Sequence, residues 1–205
     1  MVGGLIAIIY PVVKKAKEIY EFFYDLTKPW RTFRRQFRYF YRDVKRYRKE
    51  RREPEYFYRP TNISWGDVFA GRDYPRRRYI DEIVKFAKAG ELVAVLGEPF
   101  SGKSAIMMRA AVELLNEGYS VFELKSDISS LEVDGVSAAE ILHRIKRGFF
   151  SERRVVLVID NIAVFASVLD RLPGFLHSLQ RERIGVIMTS RLDDWNRLKL
   201  SLIHI

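Results

Sequence analysis

The chain has 205 residues and a formal net charge of +10, room for one core of ordinary size plus an appendage. It contains no cysteine, which excludes a disulfide framework, a thiolate zinc site and a thiol nucleophile; its three histidines, His143, His177 and His204, have no ligand-like spacing. The charge is uneven: residues 1–60 carry 16 Lys+Arg against 7 Asp+Glu and the remainder 20 against 19, so the basic character belongs to the N-terminal segment.

Residues 2–13 carry no charge, but the run is shorter than the roughly 20 apolar residues that span a bilayer. It lacks the charged leader and cleavage site of a signal peptide. A longer pattern includes it. Leu5, Ile9, Val12, Ala16, Ile19, Phe23, Leu26, Trp30, Phe33, Phe37, Phe40, Val44 and Tyr47 follow one another in steps of four and three, an a/d stripe that predicts an apolar helical seam. Pro29 interrupts it, and Thr27 suits a cap with Pro29 in the next first turn, so two helices or one kinked helix are expected to meet near residue 28.

The second half of this stripe is aromatic and rich in arginine, from Arg31 to Arg52. A solvated cationic face over a buried stripe, a helix lying on an anionic membrane surface, and a nucleic-acid contact all suit residues 14–52, and an oligomer seam fits each of them. The membrane surface is the favoured expectation, which places the protein in the cytoplasm, peripheral at the membrane. Residues 1–52 thus form a basic, aromatic-rich helical segment. Residues 53–66, with two prolines and a glycine, read as a linker, and 67–205 as a separate core.

The core begins with Val68-Phe-Ala-Gly71-Arg72-Asp73 and a helical pattern over residues 79–88. The apolar run 92–96 leads into Gly97-Glu98-Pro99-Phe100-Ser101-Gly102-Lys103-Ser104, and a helix follows to Asn116: strand, G-x-x-x-x-G-K-S, helix. Gly97 and Gly102 let the backbone turn tightly against a phosphate. The amides around Phe100 to Ser104 stand at a helix start, where unpaired N–H groups favour an anion. Lys103 suits the β- and γ-phosphates, and the Ser104 hydroxyl suits Mg²⁺.

Further strands are expected at 120–124, 155–159 and 184–189, with helices at 137–147 and 161–181, the latter interrupted at Pro173-Gly174. Apolar strands alternating with helices predict an α/β fold, a parallel sheet covered on both faces with ligands at the strands' carboxyl ends. Gly97–Ser104, Asp160 and Thr189-Ser190-Arg191 all fall at such ends. Asp160 then suits a Walker B carboxylate holding Mg²⁺ through its water shell, and Arg191 a charged contact to the γ-phosphate.

With Phe69 to Asp73, G-E-P-F-S-G-K-S, V-V-L-V-I-D-N and I-M-T-S-R in hand, residues 68 to about 205 resemble the STAND-type P-loop ATPases and the related archaeal ATPases, in the wider branch that includes AAA+ proteins. The resemblance implies ATP with Mg²⁺, a sensor strand between the loop strand and the Walker B strand, and use as a nucleotide-dependent switch. It places Gly71 and Arg72 near the base or phosphates, and gives Lys103, Asp160 and Arg191 the catalytic roles. A scarcity of Asn and Gln, six in all, fits a thermophile source.

Two departures stand out. Asn161 follows the Walker B aspartate where the family usually has a water-directing acid, which implies slow or partner-dependent hydrolysis. The family also continues into a lid beyond the position of Ile205, so either the sequence is a fragment or a partner or second copy is expected to supply one. The competing class is a nucleic-acid-associated ATPase, helicase-loader-like, using the arginine-rich helix on phosphates. A GTPase is disfavoured, because Asp160-Asn-Ile-Ala lacks the glycine of D-x-x-G.

Overall fold

The computed structural model describes residues 28–50, 63–148, 152–198 and 203–204; the first half of the apolar stripe and most of the proposed linker lie outside them. A helix over 28–40 (α1) runs into a short strand, Tyr41–Asp43 (β1), and a 3-10 turn, Val44–Lys49. Then come α2 (Trp65–Phe69), α3 (Arg77–Lys88), β2 (Leu92–Leu96), α4 (Lys103–Asn116) and β3 (Ser120–Leu124). A small hairpin, β4 (Glu132–Val133) and β5 (Val136–Ser137), precedes α5 (Ala138–Arg147) and β6 (Val155–Ile159). A 3-10 segment, Ile162–Arg171, leads into α6 (Leu172–Arg181), β7 (Gly185–Ser190), α7 (Leu192–Leu198) and β8 (Ile203–His204).

The main sheet has the order β1-β3-β6-β7-β2-β8, parallel throughout except for β1, which pairs antiparallel with β3. The sensor strand β7 therefore lies between the loop strand β2 and the Walker B strand β6, as the resemblance implied. Every residue of β6 and β7 is buried, because helices cover both faces. Strand alternation divides these residues between two cores. Leu157, Ile159, Val186 and Met188 pack with α5 and α6. Val156, Val158 and Ile187 pack with α3 and α4, where Ile80, Ile83, Val84 and Ala87 form one face of α3.

The N-terminal stripe departs from the helical expectation at Tyr41. Pro29 sits within α1, but the helix ends at Phe40 and the chain joins the sheet edge, Tyr41 opposite Leu124 and Asp43 opposite Phe122. The Lys125 amide also donates to the Phe40 carbonyl at 2.9 Å. The open edge of β3 supplies partners that a continued helix could not satisfy there. Phe40 and Val44, neighbours on the heptad stripe, end on opposite faces of the sheet, in different cores. Among the described residues no helix is long and apolar enough to cross a membrane.

Two further boundaries differ from expectation. Pro173 sits in the first turn of α6 and starts that helix instead of interrupting one, since its missing N–H would be unpaired there in any case. Trp65 and Gly66, read as linker, open α2. Its start is fixed by a capping box in which the Asp67 amide donates to Ser64 Oγ at 3.3 Å and the Ser64 amide to Asp67 Oδ2 at 3.0 Å.

Candidate nucleotide site

Strand β2 delivers the glycine loop to the carboxyl edge of the sheet. Gly102 is the N-cap of α4 with φ +87°, a left-handed conformation that suits glycine, and no side chain caps the helix. The first amides of a 14-residue helix are thus left for an anion. Gly97 has a milder constraint: a Cβ there would stand 2.9 Å from Ser101 Oγ, so any other residue would require that hydroxyl to turn away. The turn is tightened by the Ser101 amide, which donates to the Glu98 carbonyl at 3.2 Å. Lys103 Nζ donates to that same carbonyl at 2.6 Å, folding the ammonium over its own loop.

Asp160, just past β6, is the hub of the site. Its Oδ1 accepts from Ser104 Oγ at 2.8 Å and from Thr189 Oγ1 at 2.6 Å. Thr189 Oγ1 in turn accepts from the Asn161 amide at 2.8 Å. One carboxylate oxygen at the end of β6 thus ties the sensor strand β7 to the first turn of α4. Asn161 has φ +53°, and asparagine tolerates this left-handed position better than most residues with a Cβ. Its backbone orients the threonine, while its side chain is exposed.

These residues line a cavity of about 880 Å³, bounded by Pro99, Phe100, Lys103, Ser104, Asp160 and Arg191 among others. Arg191 and Phe100 are exposed at its rim, Phe100 with φ +61°. The donor set suits Mg²⁺: one serine hydroxyl and one carboxylate, hard oxygens that leave the remaining positions to phosphate and water. Ser104 and Asp160 would hold the ion, which would supply positive charge to offset that of a bound phosphate.

A model of the family described as novel STAND NTPase 5 matches residues 55–203. The chain belongs to the STAND NTPases. No curated protein is detectably similar in sequence. Among solved structures, this STAND NTPase is similar to Caenorhabditis elegans PCH-2 at 13% identity and TM-score 0.46, over 70% of this chain and 46% of that one. AMPPCP-bound DnaA from Aquifex aeolicus has 15% identity and TM-score 0.41, over 75% and 50%. Closed-state Hsp104 bound to ATPγS and casein has 15% and 0.49, over 83% and 30%. The chain spans half or less of the length of each.

The geometry gathers most, but not all, of the site residues expected from sequence. Gly71 and Arg72 do not line the cavity: Gly71 turns the chain after α2 at φ +71°, and Arg72 Nη1 lies 3.7 Å from Asp67 Oδ1. The residue of that motif with a clear structural task is Asp73. Its carboxylate, 2% exposed, forms an ion pair with Arg109 of α4. Arg109 Nη2 also donates to the Val68 carbonyl at 2.8 Å, binding the Gly71 turn to the phosphate-loop helix. Burial lowers the Arg109 pKa, the largest influence on it, and nearby Glu113 opposes this.

One residue at the loop gave no sequence signal. Arg76, within the run Arg76-Arg77-Arg78, donates from Nη1 to the Ser101 carbonyl at 2.9 Å and lies against Gly102. It adds positive charge at the helix start where an anion would sit. Spacing alone cannot distinguish it from its two neighbours, of which Arg77 pairs with Glu113 on the outside of α4.

Proposed function

We propose that this STAND NTPase binds ATP with Mg²⁺ and works as a nucleotide-dependent switch whose hydrolysis is slow or partner-dependent. The observation that carries the reading is the pair of hydroxyls, Ser104 and Thr189, donating to one oxygen of Asp160. Metal and γ-phosphate would compete for these groups, so their arrival would break a link between β7, β6 and α4. A bound triphosphate is thereby coupled to β7, the strand that leads to Arg191, as a switch requires. The slow chemistry follows from Asn161: an amide cannot accept a proton from water, and among the described residues no carboxylate other than Asp160 lines the cavity.

Calorimetry with ATP and GTP, with and without Mg²⁺, tests this reading. ATP binding that strengthens with Mg²⁺, and loses that gain in Ser104→Ala, is the expected result. Equal Mg²⁺ dependence in wild type and Ser104→Ala would remove the metal assignment.

The basic N-terminal segment would present this switch to an anionic partner, with self-association or a partner protein covering the nucleotide. For a membrane surface, Trp30, Phe33 and Phe37 would enter the headgroup region. Only Trp30 of the three is exposed, and Phe37 stacks edge-on against Phe122 at 5.3 Å, which favours the alternative of a nucleic-acid partner for residues 28–50.

A further inference from the structure

At the other end of the sheet, α1 and β1 enclose a second cavity of about 500 Å³, over the start of β3. Ser120, the first residue of β3, lines it, whereas the phosphate loop follows the last residue of β2; the strands run parallel, so the two cavities lie at opposite edges. The volume is in the range of ordinary ligand pockets, roughly 300–1,000 Å³.

Its walls combine two chemistries. Trp30 and Phe33 stack at 5.8 Å with 25° between their planes, and Trp30 remains 57% exposed, with ring surface still accessible. Around this stack stand Arg34, Arg38, Lys45 and Arg46, all exposed, and Arg153 faces them from the segment before β6. Among the described lining residues Asp43 is the one carboxylate, and its Oδ1 accepts from the Lys45 amide at 3.0 Å. Five cations against one carboxylate leave a positive surplus that suits a polyanion.

The rings decide which one. Inorganic phosphate needs no aromatic surface. A bilayer needs a convex set of projecting apolar side chains, but Phe40 is fully buried and Phe37 is packed on the sheet. What remains is concave, cation-rimmed and supplied with an exposed indole. A base stacked on Trp30, with the strand's phosphates following the arginines, satisfies both chemistries at once.

We propose that this cavity is a binding site for single-stranded nucleic acid, with Trp30 as the stacking platform and Arg34, Arg38, Lys45, Arg46 and Arg153 as the phosphate track. It rests on the reading of the N-terminal segment as an anion-binding surface and is independent of the nucleotide loop.

The test titrates the full chain with labelled oligo-dT and oligo-U of about 12 nucleotides, within the usual range of single-strand site sizes. A duplex of equal length and vesicles of phosphatidylserine and phosphatidylcholine are compared at roughly 0.1 M salt. Single strands should bind best and quench tryptophan emission. Trp30→Ala and, separately, Arg38→Gln should each weaken this on the order of tenfold, with Trp30→Ala sparing the duplex. Both side chains are exposed, so neither change should unfold the protein. Lys103→Ala should leave oligonucleotide affinity unchanged, which separates this site from failure of the ATP reading. Single-strand affinity unaltered by Trp30→Ala would overturn the proposal. So would vesicle binding without oligonucleotide binding, or no binding of either.

Discussion

Lys103→Ala gives the sharpest test of the phosphate loop, because the structure sets the size of its effect. The ammonium donates to the Glu98 carbonyl at 2.6 Å, so ATP does not gain a wholly new contact from it. It exchanges a neutral acceptor for a charged one. Hydrogen bonds to charged groups contribute about 1.5–3 kcal/mol and neutral ones about 0.5–1.5 kcal/mol, leaving a net of about 1–2 kcal/mol for the exchange. At about 1.4 kcal/mol per tenfold, ATP affinity should fall roughly five- to thirtyfold. Without nucleotide the change should be nearly silent, because Glu98 is exposed and water can replace the ammonium at its carbonyl. A stability change within about 0.5 kcal/mol, or about 1–2 °C in Tm, is expected. Calorimetry with ATP and thermal unfolding of the free protein measure the two quantities. Unchanged ATP affinity would refute the phosphate role. Loss of many degrees of Tm without nucleotide would show instead that Lys103 is structural.

Two other outcomes follow from the same site. Wild-type turnover should stay below about 1 s⁻¹, the low end of ordinary enzymes, in a steady-state phosphate-release assay; Asn161→Asp should raise it if a carboxylate there can direct water, and suits φ +53° better than glutamate does. Asp73→Ala should cost about 3–5 kcal/mol in urea unfolding, because it strands the partly buried Arg109 charge; a cost below about 1 kcal/mol would mean the pair does not anchor the Gly71 turn to α4.

The site could be read from sequence because its parts are local. A buried parallel strand is a run of apolar residues, and the glycine loop must follow it directly, so Leu92 to Ser104 announces itself. The same rule points to Asp160 and Thr189, each at the carboxyl end of an apolar strand. The N-terminal stripe failed for a related reason. Steps of three and four report burial, and the chain buried Phe40 and Val44 by crossing to the other side of the sheet edge. No local pattern reveals that Tyr41 will pair with Leu124, more than eighty positions away. Two further local signals lie in the sequence: the Ser64 and Asp67 capping box, and the Asp134-Gly135 turn between β4 and β5, whose φ values of +51° and +72° fit the Asp-Gly preference of tight hairpins. Arg76 belongs to neither class, since only the tertiary fold brings it to Ser101.

Phe100 offers a test of whether the loop carries strain that its side chain does not repay. Its φ of +61° lies in the left-handed region, which costs a residue with a Cβ roughly 1–2 kcal/mol. The ring is 95% exposed, so packing against the described residues does not offset that cost. Glycine removes the clash but adds freedom to the unfolded chain, worth about 0.4–1 kcal/mol in the opposite sense. The net expectation for Phe100→Gly is a stabilisation of about 0.5–1 kcal/mol, or about 2 °C in Tm for a chain of this length. ATP affinity should stay within about twofold, because the loop's backbone path is unchanged and the ring is not needed to hold it. Thermal unfolding at several protein concentrations, paired with ATP calorimetry, separates the possibilities. A lower Tm that depends on protein concentration would mean that the ring is covered by a second copy of the chain. A large loss of ATP affinity would place the ring against the nucleotide. Either result would refute the view that Phe100 is an unsupported strain at the tip of the loop.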